Sequence, residues 1–250
     1  MRKATLAAVH AHAVAQYPRE SCGLIVAAGR RERYVPCRNT ASGTEHFALA
    51  PEDYAAAEDA GRVLAVVHSH PDAPPLPSDA DLAGCEASGL PWHIVSVTAE
   101  GAGELHSFAP TGWRAPLLGR MFFHRVLDCY TLVRDYYHRE RGIELLDFER
   151  EDDWWHKGQD LYMQGFERAG FAPLARGEAL QPGDVILMQV RSPVANHAGV
   201  YLGHTGLQEQ PGLHPVPHAM LHHLYGRLSE RVVYGGHWAE CTRLQLRYRG

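Results

Sequence analysis

Hydrophobic and polar residues alternate differently in the two halves of the chain. Up to about residue 108, short apolar runs bounded by turn residues alternate with stretches of helical periodicity. One run, 63–67, is continuously apolar and largely β-branched, which is typical of a strand buried on both faces of a sheet. The pattern predicts helices before residue 17, at 51–62 and from 78, and strands at 22–28, 32–37, 63–67, 92–97 and 104–108.

The N-terminal stretch combines basic residues with a short apolar run, as export signals do. His10 and His12 interrupt that run, which is also short for an export signal. The apolar positions fit one face of a helix ending before Pro18, namely Leu6, Val9, Ala13 and Val14. We therefore expect a helix here and no export signal.

A breaker-rich stretch at 109–116 separates the two halves. We predict two domains, 1–108 and 119–250, joined by a linker at 109–118. Both halves mix helices with strands, which places the chain in the α/β (α+β) class. The pattern of the second half predicts helices at 129–141 and 154–169, then a strand-rich end that includes 185–190 and 196–202.

Composition narrows the functional classes. The 250 residues are 45% hydrophobic and 21% charged, as in ordinary globular proteins. The net charge of −5 disfavours a nucleic-acid binder, and no apolar stretch approaches the roughly 18 residues of a membrane span. Five widely spaced cysteines without a CxxC pair argue against a disulfide framework and for synthesis in a reducing compartment. The 17 histidines supply candidates for chemistry.

Two histidines follow the apolar run at 63–67. His68 and His70 face the same way on a strand, and a helix starting at Ser78 would hold Asp81 in its first turn. Two imidazoles and a carboxylate leave one tetrahedral position open, as in catalytic zinc sites. Such a site also needs a general base, for which Glu20 is the candidate. Ser78 and Asp81 equally fit a helix capping box that needs no metal, and this alternative stays open.

These residues, with Pro-x-Glu-x-Cys-Gly-Leu at 18–24 upstream, resemble the JAMM/MPN+ metalloprotease family over about residues 1–108. The resemblance implies an α-β domain with a mixed sheet. It also implies that His68, His70 and Asp81 bind Zn²⁺. Glu20 would be the general acid/base, and Ser78 would help to stabilise the tetrahedral intermediate.

A second group of candidate residues surrounds Cys129. Asp128 is a predicted N-cap, so Cys129 falls in the first helical turn, where the helix dipole should lower the pKa of the thiol. His197 opens a hydrophobic strand and could act as base and then acid. The best source of a third polar group is His222 or His223. An inert buried cysteine is the alternative.

These residues are similar to the NlpC family of papain-like cysteine peptidases, which implies an α+β fold for 119–250. Cys129 would be the nucleophile, His197 the base, and His222 the orienting residue, although the segment 203–219 looks enlarged compared with the family. The agreement extends to the peptidase half of phage tail tip assembly proteins of the lambda type, which carry a JAMM domain before an NlpC domain. The stretches that match this group are 128–137, 153–155, 196–203 and 221–229.

The resemblance implies a phage or prophage tail tip protein, made in the bacterial cytoplasm and acting at the cell wall in the periplasm. Its thiol half would cleave peptidoglycan stem peptides at the D-glutamyl–diaminopimelate link. Its zinc half would cut a tail protein, for which a ubiquitin-like tail assembly factor is a candidate partner. Two alternatives stay open: a morphogenetic scaffold without enzymatic activity, and a cellular wall-remodelling hydrolase, which the missing export signal disfavours.

Overall fold

The computed structural model describes residues 1–29, 31–44 and 46–250. It divides into two compact units, Met1–Arg114 and Ala115–Gly250. Between the strands predicted at 22–28 and 32–37, the sequence favours a turn at Gly29 and Arg30, and Arg30 lies outside the described residues.

The division falls inside the predicted linker, whose two parts are hydrogen-bonded to their own units. The backbone N–H groups of Thr111 and Trp113 donate to the Glu86 carboxylate over 2.7 and 2.9 Å. On the other side, the N–H of Leu117 donates to Glu209 over 2.9 Å, and the Leu117 side chain is fully buried. These parts of the predicted linker are therefore ordered.

The described residues of the first unit form a five-stranded sheet with three helices. The elements are α1 (Lys3–Gln16), β1 (Cys22–Ala28), β2 (Arg31–Cys37), α2 (Pro51–Asp59), β3 (Arg62–Pro71), α3 (Asp79–Ser88), β4 (Trp92–Thr98) and β5 (Gly101–Phe108). The strands follow the spatial order β2-β1-β3-β4-β5, in which β3 and β4 are parallel and the other pairs antiparallel.

Apolar clusters cover both faces of this sheet. On one face, Val9 and Ala13 of α1 pack against a group that includes Val67. On the other face, Val66 belongs to a cluster with Cys85 of α3. The strand predicted at 63–67 is therefore buried on both faces. Of the apolar positions expected on the core side of α1, Val14 is an exception because it is 48% exposed.

The described residues of the second unit form an antiparallel sheet ordered β10-β9-β8-β7-β11-β6, and α4 packs on β8 and β9. The helix predicted at 154–169 is wrong for most of its length. A single 3₁₀ turn at Trp154–His156 comes before Gly158, whose φ of +76° ends it. The elements are α4 (Cys129–Arg141), α5 (Leu161–Gly165), β6 (Phe171–Pro173), β7 (Val185–Met188), β8 (His197–Gly203), β9 (Ala219–His222), β10 (Glu230–Val233), α6 (His237–Cys241) and β11 (Thr242–Tyr248).

None of the helices that the structure describes is both long enough and apolar enough to cross a bilayer.

Candidate metal and thiol sites

Strand β3 carries His68 and His70 past the end of its apolar run. Side chains two residues apart on a strand share a face, and the Nε2 atoms of the two rings lie 3.1 Å apart. His68 is fully buried, whereas the His70 side chain is 13% exposed. The pair therefore opens towards the surface on the His70 side.

Helix α3 supplies the third side chain. Asp81 Oδ1 lies 3.1 Å from His68 Nε2, and Asp81 Oδ2 lies 3.5 Å from His70 Nε2. The same carboxylate accepts hydrogen bonds from the N–H and the hydroxyl of Ser78, over 2.8 and 2.7 Å, in a capping box. The capping box and the convergence on the histidines therefore coexist, and the Ser78 hydroxyl is engaged with Asp81.

The two imidazoles are held differently. His70 Nδ1 lies 3.1 Å from the carbonyl oxygen of Pro74, which can only accept a hydrogen bond, so Nδ1 carries the proton. His68 Nδ1 is buried and has no hydrogen-bond partner among the residues that the structure describes. The His68 ring is held by Phe47, stacked at 4.5 Å, and by Trp92, edge-on at 5.6 Å.

The donor set fits a divalent ion such as zinc. One ligand atom from each of His68, His70 and Asp81 lies within 4.8 Å of the others. Two nitrogen ligands of a tetrahedral zinc ion are about 3.3 Å apart, close to the spacing of the two imidazoles. Because His70 Nδ1 holds its proton, Nε2 of the neutral ring presents a lone pair to the Asp81 carboxylate. Two acceptors that face each other are stabilised by a shared cation.

Glu20 lies next to these three residues, just before β1. The backbone N–H of Ser21 donates to Ser69 Oγ over 2.8 Å, which fixes this segment to the residue between the two histidines. Burial raises the pKa of Glu20 to about 8; the charge of His70 opposes this shift and that of Asp81 adds to it. Glu20 can therefore exchange a proton near neutral pH, as a general base must.

The thiol site begins at the N-terminus of α4. Asp128 caps the helix by accepting the N–H of Thr131 over 2.8 Å. Its other carboxylate oxygen pairs with the buried Arg150 over 2.9 Å, and Arg150 also lies over the Tyr130 ring. This ion pair fixes the residue that precedes Cys129.

The sulfur of Cys129 is covered. Its Sγ lies 3.1 Å from the hydroxyl oxygen of Tyr162 in α5, and it accepts a hydrogen bond from the backbone N–H of Ala198. Burial raises the pKa of the Cys129 thiol to about 11, and the charge of Asp128 adds to this shift. The prediction of a lowered pKa was therefore wrong, because the loss of hydration outweighs the helix N-terminus.

His197, the first residue of β8, comes directly before Ala198 and is buried. Its Nε2 lies 3.0 Å from Nδ1 of His222. His223 faces elsewhere, since its Nε2 contacts the carbonyl oxygen of Arg227. The structure thus brings His222 rather than His223 to His197. Burial and the neighbouring histidines hold the pKa of His197 well below its usual value, and burial lowers that of His222 to about 4.

Three neighbours of this site were not predicted from the sequence. Tyr162, Arg150 and Trp238 reach it from α5, the segment before α5, and α6, and the Trp238 ring packs edge-on against His222 at 4.5 Å. The hydrophobic pattern of the sequence did not indicate any of these three residues, because each lies in a short or irregular segment. Their contacts depend on tertiary structure.

Known proteins match both units. Residues 2–111 match the family described as prokaryotic homologs of the JAB domain, and residues 118–247 match the NlpC/P60 family. Tail tip assembly protein K of Escherichia phage N15 is 45% identical over 252 aligned residues, covering 100% of this chain and 96% of that protein. Tail tip assembly protein K of Escherichia phage lambda is 41% identical over 203 residues, covering 80% and 89%.

Among solved structures, protein DSY2949 from Desulfitobacterium hafniense aligns with 44% of this chain and 88% of its own length, at 26% identity and a TM-score of 0.34. The resemblances drawn from the sequence and the α+β fold class are confirmed by the family matches and by the phage relatives. The chain therefore belongs to the family of tail tip assembly protein K, with a JAB-like domain followed by an NlpC/P60 domain.

Proposed function

We propose that this phage tail tip assembly protein is a peptidase, with a cysteine endopeptidase in its second unit that hydrolyses peptidoglycan stem peptides. The observation that carries the proposal is the contact of 3.0 Å between His197 and His222. Ala198, which follows His197 in β8, donates its backbone N–H to the Cys129 sulfur. These contacts support a site in which Cys129 is the nucleophile, His197 the base and His222 the orienting group. The D-glutamyl–diaminopimelate link is the proposed bond.

In the proposed mechanism the thiol and the imidazole react from their neutral forms. Cys129 Sγ bonds to the substrate carbonyl carbon while its proton passes to His197, which is held by His222. His197 then gives this proton to the leaving amine as the carbon–nitrogen bond breaks, which leaves a thioester. Water hydrolyses the thioester, and a proton returns to the sulfur through His197. Burial supports general-base catalysis over a preformed ion pair, because it disfavours both charged forms.

For the first unit we propose a zinc-dependent peptidase. His68, His70 and Asp81 would hold Zn²⁺, which supplies Lewis-acid polarisation of a carbonyl and acidifies water. Glu20, whose pKa lies near 8, would accept a proton from the attacking water and deliver it to the leaving amine. Ser78 would hold the Asp81 carboxylate, and its predicted help at the tetrahedral intermediate stays a prediction.

The proposed setting follows from the relatives. We propose that the chain is made in the bacterial cytoplasm, joins other tail tip proteins in the virion and acts on the cell wall in the periplasm. A ubiquitin-like tail assembly protein is the proposed substrate of the zinc half.

The thiol half is tested with purified full-length protein on peptidoglycan sacculi. We expect soluble stem peptides in which the D-glutamyl–diaminopimelate bond is cut, identified by mass spectrometry. Cys129→Ala should abolish their release. Cys241→Ala is the matched control, because Cys241 is a half-buried thiol in α6 outside the proposed triad. Equal release by Cys129→Ala and the parent protein would refute the proposal.

One observation favours a scaffold without peptidase activity as the second candidate. The Cys129 residue is only 9% exposed, and Tyr162 lies on its sulfur, so the nucleophile is closed in this structure. A scaffold predicts that phage carrying Cys129→Ala assemble and infect normally while truncation of the second unit blocks tail formation. A peptidase predicts that Cys129→Ala phage assemble but lose infectivity.

A further inference from the structure

The second ring nitrogen of His222 is buried without a hydrogen bond. Nε2 of this ring has no hydrogen-bond partner among the residues that the structure describes. The Oε1 atom of Glu230 lies 3.7 Å from it. Glu230 stands directly opposite His222 in the antiparallel pair of β10 and β9. The distance is short enough for a hydrogen bond after a small rotation of the Glu230 side chain, or for one bridging water.

The hydrogen-bonded pair of histidines determines which nitrogens carry protons. His197 Nε2 is engaged with His222 Nδ1, so only Nδ1 of His197 remains to accept the thiol proton of Cys129. A neutral imidazole whose Nδ1 is unprotonated, and so able to accept a proton, carries its own proton on Nε2. His197 Nε2–H must therefore donate to His222 Nδ1. Neutral His222 must then carry its own proton on Nε2, the nitrogen that faces Glu230.

The opposite arrangement of protons would be inactive. If His222 carried its proton on Nδ1 and donated it to His197, Nε2 of His197 would be an acceptor and its Nδ1 would be protonated. His197 could not then take the proton of Cys129. In that arrangement His222 Nε2 would point a lone pair at the carboxylate of Glu230, which repels it. The carboxylate thus favours the tautomer that the proposed reaction needs.

The other groups packed on His222 do not replace this carboxylate. The Trp238 ring covers His222 from α6 and cannot titrate. His223 and Arg227 are both positive when charged, and both lower the pKa of His222. Glu230 is the acidic group of this set, and its side chain is 43% exposed.

We propose that Glu230 is a positioning residue that accepts the Nε2–H of His222, directly or through one water, and so holds His197 in the tautomer able to deprotonate Cys129. This role rests on the proposed cysteine peptidase. It extends the proposed triad by one carboxylate that acts through His222 and does not touch the substrate.

The kinetic test compares Glu230→Ala with Glu230→Gln in the full-length protein. The alanine variant has no acceptor and should lower kcat for stem-peptide release on the order of 10-fold with KM little changed, a smaller effect than the loss of a group bonded directly to the base. The glutamine variant keeps an acceptor oxygen and should retain activity within about 3-fold of the parent protein. Glu240→Gln, an exposed carboxylate on α6, controls for the lost charge. Equal activity of the alanine variant and the parent protein would overturn the proposal.

The pH profile provides a readout that a structural role would not move. The groups that face His222 are His197, His223, Arg227 and Glu230. Without the carboxylate, the protonated form of the histidine pair loses its stabilising charge, so the acid limb of kcat/KM should move to lower pH in Glu230→Ala. An unchanged acid limb would contradict the proposal.

A substrate-free measurement separates this inference from the peptidase proposal. Nitrogen-15 NMR of labelled histidine rings distinguishes protonated from unprotonated nitrogens, and the His197→Ala and His222→Ala variants assign the signals. In the parent protein at neutral pH we expect protons on Nε2 of both rings, and in Glu230→Ala a mixture of tautomers. Inactivity of the parent on sacculi would refute the peptidase, while tautomers unaffected by Glu230→Ala would refute the role of Glu230.

Discussion

Asp81 in the first unit and Cys129 and His197 in the second are all buried, yet burial decides the direction of the pKa shift only in the second unit. Burial alone would raise the pKa of Asp81, but its contacts with the two imidazoles and the hydrogen bond from Ser78 hold that pKa well below its usual value. At Cys129 the hydrogen bonds from Tyr162 and Ala198 offset burial only in part, so the pKa of the thiol rises. At His197 burial and the neighbouring histidines act together, so the pKa of the imidazole falls. The first site stabilises charge, and the second keeps its reacting groups neutral.

This difference follows from how the side chains meet. In the first unit, the Asp81 carboxylate lies within 3.5 Å of two imidazoles and accepts two hydrogen bonds from Ser78, which stabilise its negative charge. In the second unit, the group that contacts His197 is another imidazole, which adds repulsion when both are protonated. An ion would suit the first arrangement, and a proton transfer that begins from neutral partners would suit the second.

The largest expected effect tests whether the two sites work independently. Cys129→Ala should lower stem-peptide release by about 10⁴-fold or more, because it removes the sulfur that forms the proposed thioester. The same variant should bind as much zinc as the parent protein, measured by elemental analysis. Zinc loss in Cys129→Ala would show that the sites are coupled and would break the comparison.

The next effect concerns the metal. His68→Ala removes one of the three proposed ligands and should weaken zinc binding by more than about 100-fold, the upper range for losing only an outer-shell partner. Competition with a chromophoric chelator measures it. His106→Ala, a half-buried histidine in β5, is the control. The parent protein should retain about one zinc ion per chain after dialysis. A parent without zinc under these conditions would remove the metal from the first unit.

Acid should destabilise the second unit through its neutral histidines. The pKa values of His222 and His223 fall to about 4 through burial, and that of His197 falls well below its usual value. Their pKa values are lower in the folded state, so below pH 6.5 the unfolded chain binds up to three more protons. The free energy of unfolding should then fall by up to about 4 kcal/mol per pH unit as the pH drops from 6.5 towards 4. Above pH 6.5 the contribution of these histidines to stability is fully present.

Calorimetry of the full chain between pH 7 and 4 measures this slope. His223→Asn should make the pH dependence of the unfolding free energy of the second unit shallower, by the equivalent of about one proton. His214→Asn, in an exposed loop, should leave it unchanged. Equal slopes in the two variants would mean that His223 is protonated in the folded state.

The smallest expected effect concerns the cover on the sulfur. Tyr162→Ala should admit water to Cys129, lower the pKa of its thiol from about 11 and speed alkylation by iodoacetamide at pH 8 on the order of 10-fold. Tyr162→Phe removes only the hydroxyl group, whose hydrogen bond lowers that pKa, so it should slow the reaction. The exposed Tyr225→Ala is the control. Faster alkylation in the phenylalanine variant would contradict this account.

Sequence patterns were informative where local geometry decides the outcome. The spacing of His68 and His70 on a strand, and of Ser78 and Asp81 at a helix start, predicted the neighbours found in the structure. Asp128 as N-cap predicted the start of α4 at Cys129. These inferences depend on strand alternation and helix capping, which act over a few residues.

Where packing between distant segments decides, the patterns were less informative. The sign of the pKa shift of Cys129 depends on Tyr162 and on the strand that covers it, so the helix N-terminus alone predicted the wrong direction. The helix predicted at 154–169 failed because glycine conformation at Gly158 interrupts it. Glu230 became a candidate only through its pairing with His222 across two strands.

Asp81 both caps α3 and contacts the two histidines, which has an evolutionary consequence. Its carboxylate accepts two hydrogen bonds from Ser78 at the start of α3, so the helix would need both residues even in a related protein that bound no metal ion. His68 and His70 take no part in capping this helix. Related domains that have lost activity should therefore have lost the histidines first. The serine–aspartate pair alone should be a poor indicator of catalytic activity.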